Sequence, residues 1–84
     1  MSVLIQISLW GYDVLTSKCQ RGSAEFAILM RGIIVEHSRD GKVERVMEIR
    51  CQLEEAKLLL ALATKVYPDA VPDIQKAIDE SRRS

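Results

Sequence analysis

The dipeptide Asp40-Gly41 constrains the fold of this chain more than any other feature. It stands between two runs rich in β-branched and large apolar residues, Glu25 to His37 and Val43 to Cys51. Asp-Gly readily supplies the two positive φ angles of a two-residue hairpin turn. A turn of that length sets Glu36 opposite Arg45, Val35 opposite Val46 and Ile34 opposite Met47. One face then collects Met30, Ile34, Met47, Ile49 and Cys51. The other carries Ile33, Val35 and Val46 among Arg31, His37, Glu44, Glu48 and Arg50. A three-residue turn with Gly41 left-handed would oppose Glu36 to Glu44, and like charges directly opposed destabilise a strand pair. The first register is therefore expected. Its one awkward pair, Arg31 against Arg50, would be relieved by a bulge at Gly32.

The flanking segments carry weaker periodic signals. Val3, Ile5, Ile7 and Leu9 alternate with Gln6 and Ser8, a period of two that predicts a half-buried strand from Val3 to Trp10. Gly11-Tyr12 suits a type II′ turn, and Tyr12 to Ser17 would return as a short strand with Val14 opposite Leu9. Lys18 to Ser23 has no period and reads as a loop. From Gln52 to Tyr67 the period changes. Leu53, Ala56, Leu59, Leu60, Leu62, Ala63, Val66 and Tyr67 fill about half the circumference of a helix, with Leu58 at the margin of that arc. Glu54 and Glu55 suit its N-terminal end, Glu55 is placed to reach back to Gln52 as in a capping box, and Pro68 stops it. A second helix would start with Asp69 as N-cap and Pro72 in its first turn, and would bury Val71, Ile74 and Ile78. The expected fold is one α+β domain over residues 1–84: an antiparallel sheet of three or four strands, followed by two C-terminal helices packed on one face.

Size and charge narrow the function classes. With 84 residues, 48% hydrophobic and 29% charged, the chain is an ordinary globular domain rather than a disordered one. Apolar runs such as Leu58 to Ala63 fall far short of the roughly 18–20 residues of a membrane span. The N-terminus shows no basic region or cleavage site of a secretory signal, so a cytoplasmic protein is expected. Twelve basic against twelve acidic side chains leave no cationic excess to displace counterions from nucleic acid. Arg31, Arg39, Lys42, Arg45 and Arg50 gather on or near the hairpin. They are matched by Glu25, Glu36, Asp40, Glu44 and Glu48 in the same stretch, a pattern suited to cross-strand ion pairs. A domain this short buries little more than ~60% of its unfolded surface, and small chains commonly need a disulfide, a metal or a partner copy to hold. Two cysteines offer at most one bridge, which leaves oligomerisation, with a homodimer as the simplest form.

No catalytic constellation, metal-ligand spacing or cofactor fingerprint is present, so no metal or cofactor is expected and the reading leans away from an enzyme. Cys19, between Lys18 and Arg21, has cationic neighbours that favour a thiolate. It has no obvious general base, and no CxxC pair exists. Cys51 falls on the apolar face of its strand, where a thiol acts as a small hydrophobe. His37, the single histidine, sits near the hairpin turn without ligating partners. Arg21-Gly22-Ser23 can offer backbone N–H groups to an anion but has neither the Walker nor the dinucleotide spacing. Trp10 and Tyr12 either anchor a partner or cap one end of the core. The ranked expectations are a homo-oligomeric protein-interaction module using Ile33, Val35, Val46, Leu58, Trp10 and Tyr12; a small-molecule binder or enzyme with a pocket at a dimer seam near Cys19, Arg21 and His37; and a nucleic-acid accessory protein.

Overall fold

The computed structural model describes residues 1–83, apart from the side chain of Arg39. It is an α+β fold built on a three-stranded antiparallel sheet. Strand β1 (Ser2–Ser8) leads into helix α1 (Leu9–Lys18) and the short helix α2 (Ala24–Leu29). Strands β2 (Ile33–Arg39) and β3 (Lys42–Gln52) follow, then helix α3 (Leu53–Val66), a 3-10 turn (Pro68–Ala70) and helix α4 (Val71–Arg82). The strand order is β1-β3-β2, so β3 is central and β2 forms one edge.

The β2–β3 register pairs Glu36 with Arg45, Val35 with Val46 and Ile34 with Met47. Asp40 and Gly41 both have positive φ, 52° and 76°, the backbone that a two-residue turn between twisted strands demands. Arg31 and Arg50 never face each other, because β2 begins only at Ile33. Arg31 instead forms two hydrogen bonds with the Glu55 carboxylate, at 2.9 and 2.8 Å. Glu55 also accepts from the backbone N–H of Gln52 at 2.9 Å, which supplies half of the reciprocal cap that starts α3. One carboxylate thus joins the entry to β2 and the entry to α3.

Three expectations from the sequence are corrected. Tyr12 to Ser17 is not a strand but part of α1, and Gly11 lies inside that helix rather than in a turn. The Ser8 hydroxyl accepts from the Gly11 N–H at 2.9 Å, and this N-cap turns the chain into a helix directly from β1. The run from Glu25 is likewise not continuous strand. Ser23 caps α2 by accepting from the Phe26 N–H at 3.1 Å, and the β-rich stretch begins only at Ile33. At the other end, Asp69 lies in the 3-10 turn, and the residue before α4 is Ala70. Pro72 does occupy the first turn of α4, where its missing N–H leaves nothing unpaired.

All four helices contribute to one core on one sheet face. Val3, Ile5 and Ile7 from β1 and Met47, Ile49 and Cys51 from β3 cluster with Leu15, Leu29, Leu59, Ala63, Ile74 and Ile78 from the helices. Each fully buried large side chain of this kind is worth about 1.5–3 kcal/mol relative to exposure. The helices fasten to β1 and β3, and only β3 makes an extended contact with β2. Among the described residues no helix is long and apolar enough to cross a membrane.

Candidate functional site

Strand lengths decide where the core ends. The β1–β3 pairing stops at Ser8 opposite Val46, yet β3 starts four residues earlier, at Lys42. Among the described residues, 36–45 of the hairpin therefore run on with no third strand beside them, and together with Ile33–Val35 of the edge strand they form an arm. Because helix cover comes with β1 and the β1-paired half of β3, burial falls sharply across a single row of the inner face. Ile7 is 2% exposed and Met47 8%, while Ile34, next in the same row, is 58% exposed. Farther out on that face, Val43 is 64% exposed. Between them lies the cross-strand pair Arg45 and Glu36, at 3.2 Å and open to solvent, an arrangement that contributes little stability. Ile34 shares the inner face with Met47 and Ile49 without sharing their burial. No helix makes an extended contact with β2 among the described residues.

Among the described residues no second layer packs over the outer face of the sheet. Gln6, Glu48 and Ile33 form one row, with the Gln6 amide donating to the Glu48 carboxylate at 3.0 Å. Ser8, Val46 and Val35 form the next row. Ile33 is as exposed as Ile34, whereas Val35 and Val46 are half-buried. An open groove of about 670 Å³ runs from this face to the side of α4, touching Leu4, Gln6, His37, Val46, Asp73 and Lys76. Its charged side chains are of both signs, Arg45 and Lys76 against Glu44, Asp73 and Glu80, so it presents no single-sign field.

The six residues expected at an interface divide among three places. Ile33, Val35 and Val46 come together on the outer face of the hairpin. Leu58 is partly exposed on α3, in the helix layer. Trp10 is 69% exposed in the first turn of α1, two residues past Ser8, the last paired residue of β1. Tyr12 is half-buried, and its phenol donates to the Leu29 carbonyl, tying α1 to the end of α2. Burial raises the pKa of that phenol. Nothing in the residue pattern marks Ile34 and Val43 as surface residues, yet both are exposed. The signal that would have revealed them is the mismatch between a seven-residue β1 and an eleven-residue β3.

The possible thiol and ligand residues do not assemble into one site. Cys19 and Arg21 lie in the α1–α2 connection, where the Cys19 thiol is 3.3 Å from the Ser23 hydroxyl. His37 is on the hairpin, exposed. Cys51 is buried, and desolvation pushes its thiol pKa upward, which disfavours the nucleophilic thiolate. Of the basic candidates, Arg31 and Arg45 are in ion pairs, and the Arg39 side chain lies outside the described residues. Among those residues no group of three His, Cys, Asp or Glu side chains is placed to hold a metal ion.

In comparisons with known proteins, no family model matches the chain, and neither a curated protein nor a solved structure shows significant similarity to it.

Proposed function

We propose that the chain is a small non-enzymatic interaction module that works as a homo-oligomer, most simply a homodimer, and that its contact surface is the hairpin arm. The observation that carries this reading is the pair of isoleucines at the start of β2. Adjacent residues point to opposite faces of a strand, and Ile33 and Ile34 are both 58% exposed. A strand whose first two residues put an exposed isoleucine on each face, and whose outer edge is unpaired, offers a template for association, although Glu36 and His37 farther along it are polar and exposed. β2 contains no proline, and its register with β3 runs without a bulge. The two thiols, Cys19 and Cys51, are unpaired, which suits a reducing compartment, and the cytoplasm is the proposed setting.

The seam-pocket reading has less support, because Cys19 and Arg21 belong to a different part of the fold from His37. The nucleic-acid reading loses support from the ion pairs at Arg31 and Arg45. Sedimentation velocity from low to high micromolar chain concentration tests the proposal. The expected result is a mass at or above twice the 9.5 kDa of one chain, falling to one chain on dilution. A single-chain mass throughout overturns it.

A further inference from the structure

Resting on the oligomeric reading, we infer that two copies join by antiparallel pairing of β2 with β2 about a two-fold axis through Val35, forming one continuous six-stranded sheet. The phase of the existing ladder supplies the first step. A two-residue turn closes with the Arg39 carbonyl accepting from the Lys42 N–H. Residues that face each other in an antiparallel ladder alternate between bonded and non-bonded pairs. Arg39, His37, Val35 and Ile33 therefore direct their backbone polar groups toward β3. Ser38, Glu36 and Ile34 direct theirs to the open edge, where no other strand lies.

Symmetry supplies the second step. A two-fold axis normal to the sheet keeps the helix-bearing face on the same side in both copies. Each β2 residue then meets a partner of the same face, and one residue must meet itself. If that residue is Ile34, the pairing reaches back to Gly32 and Arg31, which are outside the strand. If it is His37, Ile33 and Ile34 are left without a β2 partner. If it is Glu36, two carboxylates are directly opposed, the arrangement that weakens a strand pair. With Val35 on the axis, the segment Ile33–His37 pairs entirely within β2. Val35 then meets Val35, Ile33 meets His37, and Ile34 exchanges both backbone hydrogen bonds with Glu36. Each Glu36 keeps Arg45 at 3.2 Å on its own chain, and the two exposed isoleucines lie beside the seam.

Disulfide trapping tests the register, because facing residues in a non-bonded antiparallel pair have Cα atoms about 4.5 Å apart, within disulfide reach. On a Cys19→Ser background, Val35→Cys should oxidise to a covalent dimer in high yield. A mixture of Val35→Cys and His37→Cys chains should give no mixed disulfide, whereas an axis at Glu36 would produce one. A second pair of variants reads the charge placement. Ile34→Lys should bind its copy at least about tenfold more tightly than Ile34→Glu, since position 34 faces Glu36 twice per dimer. A protein that sediments as a dimer yet forms no Val35→Cys disulfide, or whose Ile34→Lys and Ile34→Glu variants associate equally, overturns the inference and leaves the oligomeric reading standing. A protein that sediments as one chain overturns both.

Discussion

Ile7, Met47 and Ile34 lie side by side on one face of one sheet, and all three are large and apolar. The first two are sealed under the helices and the third is bathed in solvent. The alternation along each strand is the same on both sides of that boundary. What differs is cover: β1 and the half of β3 paired with it have helices fastened over them, and the arm has none. Strand periodicity assigns a residue to a face, but burial depends on whether a second layer reaches that face.

The contrast is broken most forcefully by truncating one residue on each side. Ile5→Ala removes a fully buried side chain and should cost about 3 kcal/mol of stability. Ile34→Ala, measured at high dilution, should cost less than about 1 kcal/mol. Chemical denaturation of the two variants checks the difference, and equal losses would mean that the arm belongs to the core.

The boundary itself is sharpened at Gly32. A Cβ added there would come within 2.8 Å of the Met47 sulfur, 3.0 Å of Met47 Cγ and 3.0 Å of the Tyr12 ring. Tyr12 is held by its hydrogen bond to Leu29 and cannot easily yield. Gly32→Ala should destabilise the protein by about 1–2 kcal/mol through overpacking, visible as a lower thermal midpoint. A neutral result would show that α1 can withdraw from β3.

A smaller effect probes the link between arm and helix layer. The hydrogen bonds from Arg31 hold the Glu55 carboxyl below its ordinary pKa, helped by the Gln52 N–H. A carboxyl that is more acidic when folded adds stability that is complete above the unfolded value of about 4.3 and is lost as pH falls through the folded value. The thermal midpoint should therefore fall more steeply below about pH 4.5 in the native protein than in Glu55→Gln. Parallel acid limbs would remove Glu55 from the account.

Much of the sheet was legible because its signals are local. Val3, Ile5 and Ile7 alternate, Leu53 to Val66 follow a helical period, and Asp40-Gly41 favours the left-handed backbone that a tight turn requires. Helices α1 and α2 were not legible, since each begins at a lone serine cap, Ser8 or Ser23, and neither has a clear apolar stripe. Leu9 and Trp10, for example, are exposed although the sequence groups Leu9 with the core. The outer patch of Ile33, Val35 and Val46 followed from parity alone. The exposure of Ile34 and Val43 depends on which helix reaches how far, a tertiary fact that no window of sequence contains.

The central claim is that the free edge of β2 becomes a paired edge. Residue-resolved amide hydrogen exchange at rising chain concentration tests it most directly. The account predicts that the Val35 and His37 amides, bonded to β3, are protected at every concentration, while those of Ile34 and Glu36 gain protection as the concentration rises. Free exchange of Ile34 and Glu36 at every concentration would contradict it.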